Sequence, residues 1–202
     1  MNIKKKFIWF SVFFLMVLFG CEKNNTTSPE SVLKSITTTQ CDDNQLRINV
    51  EIEFKKSVDY QIEYWKTADS ENTLVTSLVS SEIQDIATLI LLEADTKYSF
   101  KVLIDDSGNK IESDEYQFST SSLPSAITNG SLSEDKLEYD IDGYILQMQS
   151  SSPGYITMSN MEGKIVWYQC MNSGVRIATF DSETNTISCI LGINSAQAYA
   201  GD

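Results

Sequence analysis

The chain of 202 residues contains no histidine. Without imidazole there is no Ser-His-Asp or Cys-His arrangement, and no histidine-bound metal. It has three prolines and nine glycines, and no glycine-rich run of the kind that cradles a phosphate. Basic residues are scarce, 15 against 28 acidic, for a formal net charge of −13. A surface of that sign repels nucleic acid and anionic headgroups, so no nucleic-acid partner is expected. Carboxylates that could work as a pair are also missing from useful positions. Asp140, Asp142 and Glu162 all fall in turn-like stretches, where acids sit for local backbone reasons. Asp105, Asp106 and Asn109 lack the alternating oxygens and distal glutamate of a calcium loop and read as a solvated hairpin. No catalytic residue, metal or cofactor is expected.

What the chain does have begins at its N-terminus. Lys4, Lys5 and Lys6 precede a 13-residue run, 7–19, that is apolar except for Ser11, and Leu18-Phe19-Gly20-Cys21 closes it. The run is short for a membrane span and has the shape of a secretory signal. Leu-x-Gly-Cys resembles the bacterial lipobox, which implies acylation of Cys21 after removal of residues 1–20. The expectation is an exported protein, lipid-anchored to the bacterial outer membrane or cell surface, with the membrane as its partner. Cleavage would leave 12 basic and 28 acidic residues, net −16. Residues 21–30 are polar and aperiodic and read as a tether.

With Cys21 assigned to lipid, Cys41, Cys170 and Cys189 are odd in number, so at least one has no partner within the chain. A simple meander places Cys170 and Cys189 two strands, or about 10 Å, apart, which is too far for a disulfide. Buried thiols are the expectation, with a Cys170–Cys189 bridge as the alternative.

The hydrophobic fraction of 42% is enough for a core, and its pattern is that of strands. Residues 46–54 alternate strictly, Leu-Arg-Ile-Asn-Val-Glu-Ile-Glu-Phe, and 98–102 repeat the alternation. Strands are predicted over 32–38, 45–54, 60–66, 73–79, 82–89, 97–104 and 115–120. That is the size of a β-sandwich over 31–122. Leu123-Pro-Ser-Ala is the predicted linker. Beyond it, 132–141 reads as a lead-in, and strands are predicted over 143–149, 155–159, 164–168, 175–180 and 186–191. Asn160-Met-Glu-Gly163 suits a type I turn followed by a left-handed glycine, which makes 155–168 a tight hairpin. Aromatics on these strands, Trp65, Trp167, Tyr144, Tyr155 and Tyr168, suit core and cross-strand pairs. The alternative is stacking on sugars or phenols.

Two resemblances are carried by these residues. Leu92-Glu-Ala-Asp-Thr-Lys-Tyr-Ser-Phe-Lys-Val102 is similar to a fibronectin type III segment, Leu-x-Pro-x-Thr-x-Tyr-x-Phe-x-Val. Tyr98 would then be the corner tyrosine, although Ala94 stands for the usual proline and Trp65 lies one strand late. Gly143-Tyr-Ile-Leu-Gln-Met, Ser152-Pro-Gly-Tyr-Ile-Thr-Met and Met161-Glu-Gly-Lys-Ile-Val-Trp-Tyr resemble the opening blade of bacterial aryl-sulfate sulfotransferases. The resemblance spans about residues 30–202. It implies an all-β chain: a fibronectin type III or immunoglobulin-like sandwich (31–122), then an incomplete β-propeller of about one blade (126–202). A blade takes about 40–50 residues and a closed propeller at least four blades, so the expectation is a fragment that stops within a domain. The family moves sulfate from phenolic sulfate esters to phenols through a sulfated histidine carried by later blades. No position here can take that role, so the chain is expected to be inactive by itself. The alternative is a non-enzymatic surface lipoprotein that binds glycan or protein. A phenolic sulfate or a glycan are the candidate ligands.

Overall fold

A computed structural model describes residues 28–130, 143–184 and 186–192. The proposed signal, Cys21, most of the tether, the 132–141 lead-in, Asp140 and Asp142 lie outside the described residues. Within them the chain is all-β, with one 3-10 turn at Pro29–Ser31 and twelve antiparallel strands. No described helix is long and apolar enough to cross a membrane.

The first seven strands are β1 (Leu33–Cys41), β2 (Asn44–Lys66), β3 (Asp69–Val75), β4 (Val79–Leu89), β5 (Lys97–Asp106), β6 (Asn109–Glu112) and β7 (Tyr116–Ser119). They hang together on β2, which runs for 23 residues. Its first half pairs with β1 on one side and β4 on the other, with Ile52 opposite both Ile36 and Asp85. Its second half pairs with β3 and β5, with Tyr64 opposite Leu74 and Phe100. Two strands were predicted here, 45–54 and 60–66. They form one continuous strand: Lys55, Lys56 and Ser57, all exposed, shift its register against β4 between Glu53 and Val58, with no proline or glycine to break the chain.

The alternation of β2 aims Ile48, Val50, Ile52 and Phe54 from its first half into one cluster with Tyr60, Ile62 and Tyr64 from its second. Leu89, Tyr98, Phe100, Val102, Ile104 and Phe118 join it from the other strands. A fully buried side chain of this size stabilises the fold by about 1.5–3 kcal/mol. Phe100 is its hub, stacked on Tyr116 at 5.4 Å and tilted against Phe118 at 6.0 Å.

The last edge differs from the prediction of one strand. β5 pairs first with β6 and then with β7. Between them the Ser113 hydroxyl accepts the Val102 N–H at 2.9 Å and so replaces a ladder bond. The β5–β6 turn has positive φ at Ser107 and Gly108, and Asp105 accepts the Gly108 N–H at 2.6 Å. Lys110 takes the other Asp105 oxygen, so this carboxylate is occupied within the hairpin.

The C-terminal strands form two further sheets. β8 (Ile145–Gln149), β9 (Gly154–Ser159) and β10 (Ile165–Met171) make a meander in the order β10-β9-β8. β11 (Gly174–Asp181) and β12 (Thr186–Gly192) make a hairpin. The Asn160–Gly163 turn is as predicted. Gly163 has φ 78°, and the Asn160 side chain accepts N–H groups from Glu162 and Lys164. The loop before β9 and the start of β11 touch backbone to backbone at two glycines. A Cβ on Gly174 would sit 2.3 Å from the Ser150 carbonyl oxygen, and one on Gly154 2.5 Å from that of Ser173.

Candidate functional site

The described chain places its longest-range polar contacts where the β8–β10 meander meets the start of β2. Asn44 is buried. Its side-chain NH₂ donates to the Tyr168 carbonyl at 2.7 Å, and its side-chain oxygen accepts the Leu46 N–H at 2.9 Å. The Tyr168 hydroxyl accepts the Gln45 N–H at 2.9 Å and donates to the Gln45 side-chain oxygen. Arg47 donates to Gln169 at 3.1 Å, and its guanidinium stands 5.8 Å from the Trp167 ring centre, within cation–π range. Beneath these bonds lies a small apolar cluster of Leu46, Ile127, Tyr155, Ile165 and Tyr168.

The segment leading out of the first seven strands is stitched to the same hairpin. The Gly130 N–H donates to the Gly163 carbonyl at 3.0 Å, and the Ile165 N–H donates to Asn129 at 2.9 Å. On the other flank Glu93 joins the two parts. It pairs with Lys66, and the Asn160 amide donates to it at 3.1 Å. The Glu93 N–H donates to the Tyr98 hydroxyl at 2.8 Å, so the tyrosine ties the chain before β5 to the same cluster of contacts. Burial holds the Tyr98 and Tyr64 hydroxyls protonated, each pushed up to about 12.

Beside this junction opens a cleft of about 480 Å³. Its walls come from the β2 and β3 ends, with Tyr64, Trp65 and Leu74, and its rim carries Asp69, Asn72 and Glu162. The Asn72 amide donates to Asp69 at 2.7 Å, and that bond holds the Asp69 carboxyl below its ordinary range. Glu162 is contributed by the β9–β10 turn, so the cleft spans both parts of the chain.

The aromatics named from sequence separate here. Trp65 lines the cleft, and Tyr144 is exposed. Tyr155 and Tyr168 are buried in the junction, edge to face at 6.3 Å. Trp167 is half-buried under Arg47. Cys41, Cys170 and Cys189 are unpaired, but the expectation that they are buried is wrong. Cys170 is exposed and the other two are half-buried. Cys170 stands opposite Tyr155 and on the same face of β10 as Tyr168, at the exposed margin of the junction, where its thiol meets the Tyr155 hydroxyl and raises that phenol. Sequence reading missed Asn44, Gln45, Arg47 and Glu93. Their partners in the meander are more than sixty residues away, and polar residues carry no local signal of that.

No family model matches the chain, and no curated protein matches it. Among solved structures it is similar to the sensor domain of the anti-sigma factor RsgI4 from Pseudobacteroides cellulosolvens, at 21% identity and a TM-score of 0.34. The match covers 48% of this chain and 96% of that one.

Proposed function

We propose that the chain is the N-terminal portion of an exported, lipid-anchored protein of the aryl-sulfate sulfotransferase type, in which it acts as a platform and not as the catalyst. On this reading the first seven strands are a fibronectin type III-like sandwich. β1, β4 and the first half of β2 form one layer. The second half of β2 with β3, β5, β6 and β7 forms the other. The bond from the Glu93 N–H to the Tyr98 hydroxyl supports it, because that fold anchors its sheet crossing through a tyrosine to upstream backbone. The β8–β10 meander is the start of a propeller blade, and the motifs 143–148, 152–158 and 161–168 each lead into one of its strands. Cys21 carries the lipid.

The observation that carries the reading is the docking itself. The meander is seated on the start of β2 by the Asn44, Gln45 and Arg47 contacts and is not left as a free hairpin. A platform that must hold a propeller in one orientation needs such a joint. Sulfuryl transfer through a histidine is beyond this chain, which has none.

The test is to read the gene beyond the Asp202 codon and assay its product with a fluorogenic aryl sulfate and a phenol acceptor. Further blade-like repeats bearing a histidine, with transfer by the whole product and none by residues 1–202, support the reading. A stop after Asp202 with a stable product, or turnover by this chain alone, overturns it. A stop with a stable product would favour a non-enzymatic binding lipoprotein.

A further inference from the structure

We propose that the junction cleft beside Trp65 binds a neutral saccharide of about disaccharide size, with the indole as the stacking platform. The inference does not depend on the sulfotransferase reading.

Trp65 is the residue out of place. In the second half of β2 the inward set is Val58, Tyr60, Ile62 and Tyr64, and the outward set is Asp59, Gln61, Glu63 and Trp65. A large aromatic on the polar face is not part of the main core cluster. Its cross-strand neighbours are Thr73 on β3 and Ser99 on β5, both short hydroxyl residues. They leave the ring half-buried and lining the cleft. A flat apolar face beside hydrogen-bonding groups is what the two sides of a sugar ring require.

The polar groups suit hydroxyls rather than charge. Lys66 lines the cleft, but its ammonium is paired with Glu93, which leaves the rim carboxylates of Asp69, Glu71 and Glu162 in excess. That surplus disfavours sulfate, phosphate and acidic sugars. The carboxylates do not converge either. Among the described residues no three acidic or other metal-ligating side chains are grouped to hold a metal ion. Acceptors spaced around a rim match donors spaced around a sugar ring, and the Asn72–Asp69 bond sets two of these groups in advance. The volume of about 480 Å³ lies in the range of small-ligand sites. Because Glu162 comes from the β9–β10 turn, a bound saccharide would bridge the two parts of the chain.

The experiment uses the full chain in a zwitterionic detergent without sugar headgroups. Cellobiose, maltose and N,N′-diacetylchitobiose are titrated by calorimetry, with spermidine and 4-nitrophenyl sulfate as charged probes. The expected result is saturable binding of at least one disaccharide. Trp65→Ala should weaken it by about tenfold or more. Glu162→Ala, at an exposed turn position that leaves the fold intact, should weaken it by roughly threefold. Circular dichroism confirms that Trp65→Ala is folded. Binding of none of the three disaccharides overturns the proposal, as does equal affinity in wild type and Glu162→Ala. Displacement of the sugar by spermidine or the aryl sulfate at lower concentration reassigns the cleft to a charged ligand and also overturns it.

Discussion

Tyr168 shows how much one side chain carries at the junction. Its ring fills the small apolar cluster, and its hydroxyl and carbonyl engage Gln45 and Asn44. Tyr168→Phe keeps the ring and strips the acceptor from the Gln45 N–H. Leaving this part-buried donor unmet should cost about 1 kcal/mol, and urea denaturation should show a loss of that size. Asn44→Ala should cost more, about 1–3 kcal/mol, since it removes the buried bonds to the Tyr168 carbonyl and the Leu46 N–H together. The alternation of β9 and β10 made it legible that Tyr155 and Tyr168 would be buried. Their partners were not legible, because a bond spanning more than a hundred residues leaves no trace in local pattern. The tyrosines also set an alkaline limit. Tyr64 and Tyr98 are raised from 10.0 to about 12, so the folded state holds their protons where the unfolded chain has released them. Their contribution is fully present below pH 10 and is lost as pH rises through about 12, on the order of 2 kcal/mol each. Denaturation midpoints should therefore fall between pH 10 and 12, and a flat profile there would refute the burial of these hydroxyls.

Among the elements, alternation was the strongest signal, and it placed eleven segments within a few residues of observed strands. It failed where the chemistry was not periodic. β6 buries only Ile111, so it has no alternating pattern to read. The 73–79 prediction straddled the end of β3 and the start of β4, because Leu74, Val75, Leu78 and Val79 are all apolar although Val75 and Leu78 are exposed. Packing decides which elements are sensitive. Phe100→Ala on β5 opens a cavity between Tyr116 and Phe118 and should cost about 3–5 kcal/mol in a denaturation experiment. Gly174→Ala is harmful for another reason. Its Cβ would meet the Ser150 carbonyl oxygen at 2.3 Å, and two backbone segments would have to separate. A loss of about 1–3 kcal/mol is expected, together with faster proteolysis of the β11–β12 hairpin. Gly108→Ala, where a Cβ meets nothing within 4 Å, should cost less and leave that hairpin untouched. Its positive φ is then the only source of strain.

At the scale of the molecule, two parts with separate apolar clusters share one joint, and the joint determines how they unfold. The first seven strands enclose a large core. The meander has a small one, whose members Leu46 and Ile127 belong to the first part and to the segment that follows it. Docking therefore buries Tyr155, Ile165 and Tyr168 of the meander, and a three-stranded meander with so small a cluster depends on that joint for its stability. The β11–β12 hairpin is less covered still, with Ile177, Phe180, Ile190 and Leu191 exposed. This order was not legible in the chain, whose strand patterns look alike before and after the linker. It predicts graded resistance to limited proteolysis. Cuts should come first in β11–β12, then in β8–β10, and last in the first seven strands. Tyr168→Ala combined with Arg47→Ala should make β8–β10 as labile as β11–β12 while the first seven strands keep their wild-type midpoint. If the double variant instead lowers the stability of both parts equally, the meander is integral to the main core, and the joint is not the hinge on which the two parts are set.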